Sequence, residues 1–262
     1  MSGLQAAIAT EFLKARRSRV PWGVAAGLSM APLVMGLFMV ILKDPERARA
    51  LGLVGAKSQL AAGTADWPTF LNLLGQALAV GGAILFAFLT AWVFGREFAD
   101  RTVRGLLANP TPRRTIVVAK STVIAMWGLA VSAWVLALGL AIGALVGLPG
   151  WSSSDAMATV AAIALAAILT IGLQTGAAFF AGVGRGYIAP LAWTIAMVVT
   201  SQVLTVLGWG SWFPWSVPAI LAGAGGTQVE PVTVGGVAIA VLVIVTGLLA
   251  TIVWWERADQ TG

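Results

Sequence analysis

Thr122-Val-Ile-Ala-Met-Trp-Gly-Leu-Ala-Val-Ser-Ala-Trp-Val-Leu-Ala-Leu-Gly-Leu-Ala-Ile-Gly-Ala-Leu-Val146 contains no Asp, Glu, Lys, Arg or Pro. A helix needs about 20 predominantly apolar residues to cross the ~30 Å hydrocarbon layer of a bilayer, and this run meets that length. Other apolar runs flank it, placing spans at about 22–42, 70–94, 122–146, 157–181, 188–208 and 233–255. The composition of the 262 residues agrees: 59% are hydrophobic, 10% are charged and the mean hydropathy is +0.91. A soluble domain carries about a quarter of charged residues. The expected fold is therefore an all-α integral membrane protein of six transmembrane helices, a single domain over 1–262.

With no His and no Cys, zinc sites of the usual type, thiolate nucleophiles, His-based triads and disulfides are all unavailable. A net charge of +6 and a pI near 10.8 would suit a nucleic-acid binder, yet no soluble basic module carries such a footprint, and no nucleic-acid partner is expected. The basic residues report topology instead. Of sixteen Lys and Arg, only Lys43, Arg47, Arg49 and Lys57 fall in segments on the side opposite the N-terminus. The positive-inside bias predicts both termini cytoplasmic. Trp22, Trp92, Trp254 and Trp255 would mark the inner interface and Trp67, Trp151, Trp209, Trp212 and Trp215 the outer one, with Trp127, Trp134 and Trp193 packed between helices.

Residues 1–20 place Leu4, Ala7, Ile8, Phe12 and Ala15 on one helical face, with Glu11, Lys14, Arg16 and Arg17 offset from it. That pattern predicts an interfacial amphipathic helix ended by Pro21, the alternative being a solvated basic tail. The first apolar run exceeds a signal h-region and reads as a retained span. Segment 43–69 reads as a loop, with a short helix at Glu46 to Leu53. Segment 209–231 is apolar but broken by Pro214, Pro218 and several glycines; it predicts a re-entrant hairpin in the outer leaflet, against a loop lying flat.

By these boundaries no ionisable residue lies well inside a span, which disfavours proton relays and voltage sensors. The polar residues of the spans are Asn72, Gln76, Thr90, Ser132, Gln174, Thr175, Ser201 and Gln202. Interhelical hydrogen bonds, worth about 0.6 kcal/mol each, account for most of them; Gln76, Gln174 and Gln202 are the candidates to face a substrate path. Gly139, Gly143 and Gly147, like Gly172 and Gly176, permit close helix approach, either within the bundle or in a dimer. The Gly52 to Ser58 and Gly182 to Gly186 stretches fail as nucleotide sites by spacing and context. The chain has no engine of its own and no cofactor is expected on it.

The connection 95–121 is longer than two spans require. Phe98, Val103, Leu106 and Leu107 alternate helically with Glu97, Asp100, Arg101 and Arg104 up to Asn109-Pro110, and Thr111-Pro-Arg-Arg114 then opens the third span. A basic anchor on anionic lipid is one reading; a helix with both charge signs and a leucine pair suits a protein groove better.

Glu97, Thr102, Leu106-Leu107, Pro110, Arg113 and Lys120 resemble, in order and spacing, the first cytoplasmic loop of type-2 ABC exporter permeases. Arg101 stands where that family often has Gly. The basic N-terminal helix with Glu11 and Lys14, the six spans and the broken segment before the last complete the resemblance. Phe213-Pro-Trp-Ser-Val-Pro218 is similar to the bacitracin and lantibiotic-type permeases. The resemblance implies a permease subunit of an ATP-driven exporter for an amphiphilic peptide, drug or lipid-like compound, in the bacterial cytoplasmic membrane. ATP and Mg would be bound by a separate ABC ATP-binding subunit, and a second permease copy, identical or a sister chain, would complete the transporter. Glu97, Asp100, Arg101, Thr102, Arg104, Leu106, Leu107 and Arg113 would form the coupling helix region, with Glu11 and Lys14 docking from the N-terminal helix. The alternatives are an ATPase-independent transporter or channel and a non-transport scaffold; an intramembrane enzyme is disfavoured for want of a nucleophile and base.

Overall fold

The computed structural model describes residues 3–44, 64–103, 105, 111–226 and 229–257. Among these no strand occurs, and six helical stretches are long and apolar enough to span a membrane: Arg19–Lys43, Trp67–Ala99, Arg113–Val146, Ser153–Val183, Ile188–Val206 and Val234–Arg257. They are called spans 1 to 6. An N-terminal helix, Gly3–Arg17, precedes them, so one end of the bundle holds that helix and the other the 43–66 connection. The expected helix at Glu46 to Leu53 lies outside the described residues.

Span 3 begins nine residues before the apolar run does, because Arg113 and Arg114 are good helix formers that a hydropathy pattern passes over. Its 34 residues make it about 50 Å long at 1.5 Å per residue, well beyond the ~30 Å hydrocarbon layer. Span 2 contains a π-helical turn, Ala77–Gly81. Span 4 breaks at Leu173 into Ser153–Gly172 and Gln174–Val183, and the second piece packs against spans 2, 5 and 6.

The glycine spacing of span 3 is internal packing. A Cβ at Gly139 would meet Leu74 Cδ2 at 2.4 Å and one at Gly143 would meet the Trp67 ring at 2.5 Å, so these two glycines seat side chains of span 2. Gly147 ends span 3 with φ +67°. There the Lys43 ammonium donates to the Val146 and Gly147 carbonyls at 3.0 and 3.2 Å, capping the negative end of the helix dipole. Asp66 starts span 2 by accepting from the Thr69 N–H at 2.9 Å. Burial pushes the Asp66 carboxyl up, but hydrogen bonds from Thr64 and Thr69 outweigh it and hold it below the ordinary carboxylate range.

Burial of the tryptophans does not follow their position along the spans. Trp255 is fully buried, among Phe94 and Phe98, and Trp134 is exposed, with its indole donating to Ser29 Oγ at 3.1 Å. Border position follows from height along the bundle, whereas burial depends on which way the helix faces, and only packing sets that.

Segment 209–226 packs against the bundle in part. A 3-10 turn, Gly210–Trp212, leads to the short helix Val217–Leu221, and Ser216, Val217, Pro218 and Ala222 are buried. Trp215 reaches Trp193 with ring centroids 5.7 Å apart. Trp193 lies about 20 Å down the axis of span 5 from its last residue, by helical rise, so Trp215 is no border marker. Trp209 and Trp212 remain exposed.

Candidate functional site

The N-terminal helix packs on the start of span 3, but not with the face its apolar residues suggest. Leu4, Phe12 and Leu13 are exposed, while Glu11 and Ala15 are buried and Ala7, Ile8, Lys14 and Ser18 are half-buried. The inward stripe is built of small residues, which bring the backbone close, plus one Glu and one Lys whose charges must then find partners.

They find them on the ends of spans 2 and 3. The Lys14 ammonium lies 2.6 Å from Glu11 Oε1 and 3.1 Å from Glu97 Oε1; the Lys120 ammonium lies 3.2 Å from Glu11 Oε2 and 3.0 Å from Glu97 Oε1. The charges alternate and cancel. Lys120 also donates to the Val93 carbonyl at 2.8 Å, so its three donors meet three acceptors. Glu11, Glu97 and Lys120 are 8%, 3% and 0% exposed; Lys14 alone keeps an accessible flank. Burial lowers the Lys14 pKa, yet the hydrogen bonds and attraction of Glu11 and Glu97 prevail and raise it above the ordinary lysine range.

Span 2 continues to Ala99 and span 3 starts at Arg113, so Glu97 and Lys120, which lie outside the apolar runs, are helical and buried near the ends of their spans. Glu97 and Glu11, expected as polar contacts for a partner, face inward. Composition and periodicity alone give Lys120 only a place among the basic residues on the N-terminal side. The signal that could have found it is a lysine isolated between Ile116-Val117 and Val123-Ile124 on an apolar helix face, which demands a buried carboxylate.

Glu97 is also where span 2 stops. The Thr102 N–H donates to the Glu97 carbonyl at 2.9 Å and the Arg101 N–H to the Phe98 carbonyl at 3.2 Å, the hydrogen-bond pair of a Schellman motif. Such a motif needs a left-handed residue, and Arg101 supplies it with φ +57°. Glycine adopts this conformation at least cost. The Glu-to-Thr spacing is thus the spacing of a helix stop. Asp100, Arg101 and Thr102 are exposed beyond it, and Val103 is buried. Arg104, Leu106 and Leu107 lie outside the described residues. Arg113 turns from the loop to span 6, its guanidinium donating to the Trp255 carbonyl at 3.0 Å and to that of Glu256 at 3.4 Å.

The three glutamines are not brought together. Gln76 Nε2 donates to the Gly223 carbonyl at 3.3 Å, tying span 2 to segment 209–226. Gln174, at the break of span 4, donates to the Ala83 and Thr170 carbonyls at 3.2 Å, while its Oε1 is buried without a partner. It lines a cavity of about 160 Å³ with Phe94, Ser121, Thr175 and Leu248. Gln202 stands on the exposed face of span 5 with Val199 and Val203.

The structure thus shows a buried charge cluster at one end of a six-span bundle, beside a loop with exposed polar residues at its root. The chain belongs to the ABC-2 family of transporter proteins, whose model matches residues 7–202. It is 26% identical over 180 residues to the bacitracin transport permease protein BCRB of Bacillus licheniformis, covering 68% of this chain and 85% of that one. The protein is accordingly a multi-pass transporter permease of the bacterial cytoplasmic membrane. Membrane subunits of this family are not themselves catalytic, and the family implies partnership with an ABC ATP-binding subunit.

Proposed function

We propose that this chain is the permease subunit of an ATP-driven exporter of amphiphilic compounds, peptide antibiotics such as bacitracin first among them. The similarity to the bacitracin transport permease across two thirds of the chain carries this reading. Both termini would be cytoplasmic, so that the N-terminal helix, the 100–112 loop and the Gly184 to Gly186 turn face the ATPase. Docking would fall to the exposed Asp100, Arg101 and Thr102, together with Arg104, Leu106 and Leu107. Glu11, Lys14 and Glu97 would support that surface from behind, and Arg113 would fix the loop's end to span 6. Segment 209–231 would re-enter the bilayer from the outer side, and a second permease copy would complete the path. ATP binding in the partner can shift the permease only through contacts that differ between its two access states, and the loop is the element that both subunits would share.

Extraction in mild detergent should bring down an ATP-binding subunit with the permease, and bacitracin should stimulate the ATPase of the reconstituted complex. If no ATP-binding protein accompanies the chain, the ATP-driven reading is wrong.

A further inference from the structure

The loop between spans 2 and 3 has two roots, and the cluster holds both. Glu97 lies one turn before the stop of span 2, and Lys120 two turns into span 3, with 3.0 Å between Lys120 Nζ and Glu97 Oε1. Glu11 joins the N-terminal helix to the same ammonium at 3.2 Å. Lys14 also bridges the two carboxylates, but from the accessible side and from the N-terminal helix alone. Lys120 is the only member that ties span 3 into the group. Without it, Glu11 and Glu97 would share the single ammonium of Lys14, and span 3 would have no charge in the cluster.

A force applied to a loop moves the spans only if the loop's roots move as one body; if they can splay, the displacement is absorbed locally. We infer that Lys120 is the positioning residue for coupling: by binding Glu97 and Glu11 together it makes the roots of the loop and the N-terminal helix a single rigid unit that passes displacement to spans 2 and 3. This inference rests on the ATP-driven reading for its use in transport, but the rigidity it asserts belongs to the permease alone.

The absence of cysteine makes the test direct. Spin labels at Ala99→Cys and Arg114→Cys, both exposed, report the distance between the end of span 2 and the start of span 3, the two roots of the loop, in the full-length permease in nanodiscs. The expected result is one narrow distance distribution in the parent and in K120R, and a broadened or shifted one in K120M. In the complex with the co-purifying ATP-binding subunit, K120M should retain ATPase association while the bacitracin-stimulated increment falls about tenfold, with K120R recovering part of it. A structural lesion would lower association and stimulation together. If K120M does not accumulate folded, K120Q, which keeps a hydrogen-bond donor but no charge, replaces it with the same expected distances and stimulation. Unchanged distances in whichever of the two variants folds would overturn the inference. A parent chain that carries no ATPase would overturn the transport reading while the label distances still decide the positioning role.

Discussion

Arg101 pays for its place in conformation. A non-glycine residue in the left-handed region costs about 1–2 kcal/mol, which a Schellman stop ordinarily avoids by using glycine. Arg185, φ +48°, occupies the equivalent place after span 4, where the Gly186 N–H donates to the Ala181 carbonyl at 3.3 Å. At the opposite end, Gly147 and Gly208 fill that role. Cations at helix C-termini complement the dipole, and on the N-terminal-helix side they also strengthen the positive-inside signal. Arg101→Gly should therefore raise stability by about 0.5–1 kcal/mol, after subtracting the extra entropy of an unfolded glycine, measured as the unfolding midpoint in detergent. Lys14 offers a second residue-level test. Its pKa is raised in the folded chain, so its contribution is complete at neutral pH and lost as pH rises through the raised value. The melting temperature of the parent should fall at alkaline pH more steeply than that of Lys14→Met.

Spans 2 and 3 meet through side chains seated on bare helix. The Trp67 ring occupies the space a Cβ of Gly143 would need, at 2.5 Å, and Leu74 does the same at Gly139. Gly143→Leu cannot be absorbed by a rotamer of a flexible tip, because the obstacle is a buried indole that also packs on Phe70 and Trp151. It should cost about 1–3 kcal/mol by overpacking, read as a lower unfolding midpoint. A Gly147→Leu variant would fail for another reason, the left-handed φ. The N-terminal helix shows the same logic with opposite chemistry. Its larger apolar residues Leu4 and Leu13 are left outside while Ala15 is buried and Ala7 and Ile8 are half-buried, and the buried Glu11 and half-buried Lys14 are tolerated because partners from two other helices reach them.

For the whole molecule, the arrangement of charge sets the orientation. The N-terminal helix, the 100–112 loop and the turn at Arg185 share one end of the bundle. A membrane-impermeant maleimide should label Ser153→Cys from outside intact cells and reach Ala9→Cys only after the membrane is opened; the reverse pattern would invert the topology. The spans themselves were legible from hydropathy because bilayer length and side-chain transfer energy act locally along the chain. Their extensions at Arg113 and Glu97 were not, since a charged residue can continue a helix once another helix neutralises it.

The same division holds for the functional end of the protein. Residue order by itself determined six spans, the absence of His and Cys chemistry, the charge bias between the two faces, and the resemblance carried by the run from Glu97 to Lys120. The tertiary structure alone decided that Glu11, Lys14, Glu97 and Lys120 form one buried alternating cluster, that the glycines of span 3 seat span 2, and that Trp215 descends to Trp193. The physical reason is range. Hydropathy and helix stops act over a few neighbouring residues, whereas Lys120 and Glu11, separated by 109 positions, become partners only when packing brings two carboxylates and two ammonium groups out of water together.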